Sequence, residues 1–435
     1  MAGIEYKCPN CGASLKFDAK SQKVVCEFCG SEFDPQQLKK YNEELSQKPE
    51  EKMEWEESTE EFSAEESASL NVYTCNSCGG EIYADENTSA TTCPYCGNPV
   101  ILKGRLQGAL KPDYVIPFKN TNDDLVPIMS KYLKKKIFLP GKFKTENKIK
   151  EIKGLYVPFW IHDADVDGTV RWKGYTESSW VSGDYRYTEK KYYSIIRAGQ
   201  IGFDHIPVDG SKKMPDQLME SIEPFDFKGA LKFEPSYLTG YLSDKYDVNK
   251  EEVFPRANQR IKEGTIDQFA TTISRSYRGL SVENTNLSLY NTHVDYALYP
   301  VWLMSTQYKE KNFLFAMNGQ TGKMTGNLPC AKLKAFLLSF IFFIVPTVAA
   351  TIIGLFTGEE SPSFNPIALL VGAVIGLILA IIFFVINYKA LKPVKFQRGA
   401  RNYVRPGSMN INRSEDIFLY KTVSKTRIAS SSSRK

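Results

Sequence analysis

Histidine is scarce in this sequence, with three residues in 435. His162, His205 and His293 are scattered, and none belongs to a His-Glu-x-x-His motif, the pattern that sets two imidazoles on one helix face around a catalytic zinc. There is no glycine-rich phosphate loop and no Gly-x-Ser-x-Gly nucleophile elbow. With no catalytic constellation in view, the chain is read as a non-enzyme. The alternative kept open is an unrecognised active site assembled within 105–330. No secretory signal opens the sequence, so a reducing compartment is expected. Net charge is small, +5 from 55 Lys+Arg against 50 Asp+Glu. At 42% hydrophobic and 24% charged, the composition excludes a disordered chain, a collagen-like repeat and a multi-span transporter.

Cysteine is where the chemistry concentrates. Eight of the nine cysteines form four Cys-x-x-Cys-Gly units, at Cys8/Cys11, Cys26/Cys29, Cys75/Cys78 and Cys93/Cys96. Fourteen residues separate Cys11 from Cys26 and Cys78 from Cys93, and the whole pattern repeats with an offset of 67. Two thiolates two residues apart can reach one tetrahedral Zn²⁺ from a single tight turn, and a following glycine permits the positive φ of that turn. Two such knuckles complete a closed four-sulfur site. Disulfides need an oxidising compartment, a thioredoxin-like site needs a βαβ context, and iron–sulfur clusters use other spacings. Two structural zinc ions are therefore expected, with the metal supplying folding energy to units too small for a core. Leu15, Phe17, Val24 and Val25 in the first unit, and Ile82 and Tyr83 in the second, suit short strands. Cys330 is left as an unpaired thiol.

Ala335–Phe356 and Ile367–Tyr388 are 22-residue stretches without a charged residue. Each makes about 33 Å of helix, enough for a hydrocarbon core of roughly 30 Å. Gly372, Gly376 and Ala380 form a small-xxx-small stripe expected to pack the two helices together. Lys332 and Lys334 precede the pair. Lys389, Lys392, Lys395, Arg398, Arg401 and Arg405 follow it, while the linking loop carries Glu359 and Glu360 and no cation. By the positive-inside rule both termini are expected in the cytoplasm of a two-span cell-membrane protein.

The expected fold is multidomain. It comprises zinc ribbon 1 (1–34), an acidic flexible linker (35–71), zinc ribbon 2 (72–104) and an α+β cytoplasmic domain (105–330). Transmembrane helices at 335–356 and 367–388 flank an extracytoplasmic loop (357–366), and a basic tail (389–435) follows. Helical spacing marks Asp124–Phe138 and Pro255–Tyr277. Strands are expected at Tyr156–Lys173, Tyr185–Ala198, Asn286–Tyr290, Tyr299–Tyr308 and Phe313–Met317, with a turn at Asn318–Gly322. Asp163, Asp165 and Asp167 imitate a calcium loop, but the twelfth position is Gly174, so the run reads as an amphipathic strand. Asp204, His205 and Asp209 read as a polar loop, Lys131–Lys153 as a solvated charged face, and Trp55 as a lone aromatic in an acidic run.

With these segments placed, the chain resembles the bacterial, Firmicutes-type membrane proteins that carry transcription-factor-IIB-type zinc ribbons. The likeness rests on the Cys-Pro-x-Cys-Gly knuckles, Gly154–Trp160, Val208–Met214, Ser221–Phe225 and Phe315–Lys323. It implies a membrane-anchored zinc protein, and the placing of some members near phage-shock proteins implies an envelope-stress scaffold. Two functions are carried forward, a scaffold or adaptor binding a protein partner at the membrane, and a membrane-tethered nucleic-acid-binding protein related to transcription or replication. Charge separates them. The tail has 12 Lys+Arg and 2 Asp+Glu, a net +10, so residues 1–388 carry −5 before any metal–thiolate charge. Nucleic acid demands several phosphate-neutralising cations, which the ribbons lack. The scaffold reading leads, with anionic-lipid contact assigned to the basic tail.

Overall fold

The structure, a computed structural model, describes residues 7–46, 51–56, 70–85, 92–96, 98–105, 110–145, 151–309, 311–356, 365–395, 397 and 399–428. Strands β1 (Lys16–Asp18), β2 (Lys23–Val25) and β3 (Glu32–Phe33) make a small antiparallel sheet around the first two cysteine pairs, followed by helix α1 (Pro35–Ser46). The second pair of knuckles lies among β4 (Leu70–Thr74), β5 (Glu81–Asp85) and β6 (Ile101–Arg105). These strands do not close into a separate unit. They are the end of a twelve-stranded sheet that runs through the central domain. Leu70, Val72, Ile82, Tyr83 and Ala84 are all buried, more apolar surface than a segment of this size can cover alone. The segment 72–104, expected as a ribbon of its own, is built into the main core.

After β7 (Tyr114–Val115) come α2 (Asn122–Lys134) and the short α3 (Gly141–Thr145). Asp124 and Thr121 form a capping box that starts α2. The spine of the sheet is β8 (Glu151–Ser182), paired on one side with β9 (Tyr185–Asp209). Then follow α4 (Asp216–Ile222), β10 (Leu231–Lys232), β11 (Leu242–Asp244) and α5 (Lys250–Ala270). An Asn249/Glu252 capping box sets the start of α5, five residues before the Pro255 from which the expected helix began. On its other side β8 pairs with β12 (Arg278–Tyr308), a single strand where two were expected. A register shift between Tyr290 and His293, with Asn291 at φ +50°, absorbs the polar interruption that reads as a break. Likewise β9 runs past Ala198 to Asp209 because a bulge opposite His162/Ala164, with His205 at φ +58°, carries it through. The alternation expected after Asp163 holds. Ala164, Val166, Val170 and Trp172 enter the core, while Asp165 and Asp167 meet Arg405 and Gln200. The two aromatic-proline strand motifs are cross-strand neighbours, with Tyr299 opposite Val157 and stacked on Phe159 at 4.6 Å.

Strands β13 (Lys311–Asn318) and β14 (Met324–Gly326) lead into two long apolar helices, α6 (Lys332–Leu355) and α7 (Pro366–Ala390). Little of them is covered by the domain. None of the most apolar window of α6 is buried, and 17% of that of α7. That separates them from soluble core helices and is consistent with membrane spans. Gly372, Gly376 and Ala380 face α6. A Cβ at Gly372 would meet Ala350 at 2.6 Å, and one at Gly376 would overlap the Phe343 carbonyl, so only glycine allows this approach. Glu359 and Glu360 of the linking loop lie outside the described residues, as does Gly97 of the fourth knuckle.

Two segments depart from their sequence reading. The described part of the tail, up to residue 428, returns to the domain, and its β15 (Asn410–Arg427) pairs antiparallel with β9 along nearly its whole length. Arg405 pairs with Asp165 and Asp204 and Lys421 with Glu189, so part of the tail's charge is matched by the domain, while Arg413 pairs with Glu415 within the tail. In the acidic linker, residues 51–56 are bound. The Leu289 N–H donates to the Lys52 carbonyl at 2.8 Å, and Trp55 donates Nε1–H to Asn258 Oδ1 at 2.8 Å. The Trp55 ring stacks on Phe254 and meets His162 edge-on. An aromatic able to bury its ring and satisfy its N–H anchors a polar chain that charge alone would leave extended.

Candidate metal centres

Each set of four cysteines converges. Within Cys8/Cys11/Cys26/Cys29, and within Cys75/Cys78/Cys93/Cys96, all sulfurs lie within 4.8 Å of one another. Sγ–Sγ distances are 3.6 Å for Cys8–Cys29 and Cys75–Cys96, and 3.5 Å for Cys11–Cys26 and Cys78–Cys93. A disulfide needs about 2.05 Å. A tetrahedron of metal–sulfur bonds of about 2.3 Å places its sulfurs about 3.8 Å apart. The spacing fits a shared ion, and all eight thiols are free.

The knuckles explain the convergence. The N–H of Gly12 donates to the Cys8 carbonyl, that of Gly30 to Cys26 and that of Gly79 to Cys75, each at 2.8 Å. These glycines sit at φ +75°, +70° and +71°, a turn that aims backbone N–H groups at sulfur. Asn10 N–H reaches Cys8 Sγ at 3.4 Å. Left to themselves, the thiols ionise unequally. Burial pushes Cys8 up to about 12, against the N–H groups of Cys11 and Asn10. At Cys29 burial is outweighed by bonds from Ser31 and the neighbouring thiols, which bring it down to about 6. Burial likewise opposes ionisation at Cys75, but N–H groups of Cys78 and Ser77 and the Cys96 thiol bring it down to about 7, while burial raises Cys93. Four thiolates this close need a cation to coexist.

The duplication contains a compensated exchange. Asn10 and Ser77 are separated by the repeat offset, as are Ser31 and Asn98. In the first centre Asn10 Nδ2 donates to Ser31 Oγ at 3.2 Å; in the second Asn98 Nδ2 donates to Ser77 Oγ at 2.8 Å. The partners are swapped and the bond is kept. The offset of 67 is the sequence signal that reveals it.

The surroundings of the two centres differ. Around the first, Cys8 and Cys26 pack with Phe33, Leu38, Tyr41, Leu419 and Tyr420. The module docks on the far part of the sheet. The Tyr420 hydroxyl donates to Asn10 Oδ1 at 2.8 Å, and Lys173 Nζ to the Pro9 carbonyl at 2.5 Å. Cys75 and Cys93 of the second centre belong to the main core with Ile82, Leu155, Met214 and Val301. There β5 pairs with β11, and Asp244 at the end of β11 is fully buried. Asp244 accepts from Ser211 Oγ at 2.5 Å, lies 3.8 Å from Lys213 Nζ and faces the half-buried Tyr95 of the fourth knuckle. Burial raises its carboxyl to about 6, against the pull of Lys213 and Ser211. Ser211, Lys213 and Asp244 were not among the expected site residues. Ser211 and Lys213 lie in the Val208–Met214 motif, but nothing local ties that motif or Asp244 to the cysteines, because β11 reaches the second centre only through sheet pairing.

The remaining expected polar features scatter. Asp204 meets Arg405, His205 meets Asp163 and Asp209 meets Arg256, so the cluster of these three is strand, not loop, and does not come together. Burial pulls His162 down to about 4. Cys330 is a half-exposed thiol at the foot of α6. Two of the motifs named in the sequence, Ser221–Phe225 and Phe315–Lys323, meet at the C-terminal end of α4. Glu223 is buried against Arg260 at 2.6 Å and accepts from the Tyr403 hydroxyl at 2.8 Å, while Asn318 Nδ2 donates to the carbonyls of Ile222 and Pro224.

Comparison with known proteins gives a relative of matching extent. A protein of Bacillus subtilis (strain 168), the uncharacterized protein YdjG, is 34% identical over 331 residues, which is 76% of this chain and 92% of that protein. The chain belongs to the YdjG family. No family model matches it, and no solved structure matches it. This YdjG-family chain carries two long apolar helices consistent with membrane association and two cysteine clusters arranged to bind metal.

Proposed function

We propose that this YdjG-family protein is a membrane-anchored scaffold, with structural zinc in both four-cysteine centres and a protein-binding face on its first cysteine module. The observation that carries this reading is saturation. Four sulfurs at tetrahedral spacing complete a zinc shell, leaving no open position for water or substrate. The centres then serve to hold surfaces in place. The first module carries Phe28 at the tip of its second knuckle, 84% exposed, and Phe17, 54% exposed. Apolar rings on a metal-fixed turn suit a protein partner. Zinc is the ion such a thiolate set selects.

Both flanks of the hairpin enter one domain, since β14 precedes α6 and β15 returns to β9, which supports placing both termini on one side of the membrane. The lysines at the foot of the hairpin assign that side to the cytoplasm. The resemblance to zinc-ribbon membrane proteins points to envelope stress as the setting. Elemental analysis of the purified full chain is expected to give two zinc per chain. Capture of protein partners from membranes is expected to fall with Phe28→Ala or Phe17→Ala while zinc stays bound. Iron in place of zinc, or steeply salt-dependent binding of nucleic acid by the full chain, overturns the reading.

A further inference from the structure

Where α6 and α7 meet the domain, a groove of about 520 Å³ opens between them, within the roughly 300–1,000 Å³ of small-molecule sites. Ala335 and Ala380 are the small residues that make room, and Phe336, Ile381 and Phe384 wall it. The Ser339 hydroxyl is buried there with no hydrogen-bond partner among the described residues. The walls are apolar, but the mouth is not. Cys330, Lys332 and Tyr388 stand at it. Lys392, on the other flank of the hairpin, is near enough to act with Lys332 on the Cys330 thiol, which burial raises and both lysines pull back.

The mouth is held in a fixed shape. The Leu328 N–H donates to the Leu391 carbonyl and the Ala331 N–H to the Phe138 carbonyl, both at 2.9 Å. Lys136 Nζ donates to the Ala390 carbonyl at 2.7 Å, and the Phe138 ring packs on Phe383 and Phe384. Part of the lysine-rich run expected as a solvated face is therefore fastened to the foot of the hairpin. Helix α6 begins at Lys332 without a side-chain cap, so its first N–H groups add to the positive field.

An apolar trough with a cationic rim matches an amphiphile with an anionic head. Basic pockets at the cytoplasmic ends of spanning helices take anionic lipid head groups in this way. A second copy of the chain fits less well, because its hairpin would bring another Lys332 and Lys392 to the same rim. We propose that the groove binds one anionic glycerophospholipid, with an acyl chain along Ala335, Ser339 and Ala380 and the phosphate between Lys332 and Lys392. This rests on the reading that the hairpin lies in the bilayer. It narrows the lipid contact from the whole tail, whose β15 is committed to the sheet, to the start of the tail at the foot of the spans.

The test uses the full chain in nanodiscs of phosphatidylcholine alone or of equal parts phosphatidylcholine and phosphatidylglycerol, with retained lipids read by native mass spectrometry. Wild type is expected to retain one phosphatidylglycerol selectively. Lys332→Gln is expected to weaken retention about fivefold, the weight of one lysine near a head group. Ala380→Phe fills the groove and is expected to abolish it, while Leu370→Phe, on an exposed part of α7, leaves it unchanged. Equal retention of both lipids, indifference to Lys332→Gln, or a dimer that retains no lipid overturns the proposal. A chain that stays outside the discs altogether overturns instead the membrane reading beneath it.

Discussion

Take Cys8→Ser beside Cys75→Ser. The two residues occupy equivalent places in the repeat, and by spacing alone their loss should be equivalent. The structure makes them unequal. A structural zinc contributes about 10–16 kcal/mol of apparent folding free energy, as much as the whole stability of about 5–15 kcal/mol expected of a domain. At the second centre that energy is shared with the main core, because Cys75 and Cys93 pack with Leu155 and Val301 and β5 pairs with β11. Losing that ion should unfold the sheet. At the first centre the module meets the sheet through docking contacts, among them packing on Leu419, the Tyr420–Asn10 bond, the Lys173–Pro9 bond and the edge-on Phe33–Tyr420 pair. The two bonds and the ring pair are worth about 3–5 kcal/mol. Losing that ion should release the module and leave the sheet folded. Hydrogen exchange of the full chain in detergent, followed by mass spectrometry, measures this directly. In Cys8→Ser, exchange should rise in 8–33 and stay slow in 159–170 and 294–303. In Cys75→Ser it should rise in 159–170 and 294–303, while 8–33 keeps the protection given by its own ion. Equal loss of protection at 159–170 in the two variants, or intact protection there in Cys75→Ser, refutes the reasoning.

Four further outcomes are expected. In the second centre, Asn98→Ala should lose about 1 kcal/mol and release zinc faster, while the exchanged pair Ser77→Asn/Asn98→Ser, copying the first centre, should restore the wild-type rate in a chelator competition assay. Arg260→Met strands the buried Glu223 carboxylate and should cost about 3–5 kcal/mol in urea unfolding, with much of it regained in Arg260→Met/Glu223→Leu. Burial raises Asp209 to about 7, despite Arg256 beside it. The folded state therefore holds this proton more tightly than the unfolded chain, and stability falls as pH rises from about 4 to about 7. Asp209→Asn should flatten that fall in urea midpoints taken at both ends of the range. Trp55→Ala should cost about 1–3 kcal/mol and free residues 51–56 to exchange with solvent.

What the sequence shows and what it hides follow from range. The knuckles are local: Cys-x-x-Cys-Gly determines a turn within five residues, so all eight sulfurs were legible and meet in the two sets their spacing implied. The apolar helices were legible for the same reason, and Gly372, Gly376 and Ala380 face the partner helix as their stripe required. Strand ends were not. Asn291 and His205 carry polar side chains at positive φ inside long strands, and a bulge there looks like a break until the neighbouring strand is seen. Trp55 was legible as an oddity, but its partners Asn258 and His162 lie more than a hundred residues away. The place of Asp244 beside Tyr95 of the fourth knuckle was hidden altogether, since it is set by the pairing of Ser243 and Asp244 in β11 with β5.

The return of the chain after α7 changes what its charge means. A free basic tail would hold its cations in water, where they attract any anionic surface. Here the segment after α7 is tied down before it reaches β9. The Lys395 N–H donates to Ser221 Oγ, that of Gln397 to Glu220 Oε2 and that of Ala400 to the Arg260 carbonyl. Arg405 is then held between Asp165 and Asp204, and β15 follows in register with β9. The two apolar helices are thus an insertion within one domain, with both feet fixed to it. The domain's sheet also carries the second cysteine centre in its core and docks the first beside Tyr420. A tilt of α7 must pass through 395–405 into α4, α5 and β9, because each is bonded to that segment. In the proposed arrangement the cations left at the membrane are those at the feet, Lys332 and Lys392 among them, where the domain holds the groove in shape. The proposed binding at the hairpin foot and the proposed partner face of the first module would therefore belong to one continuous structure.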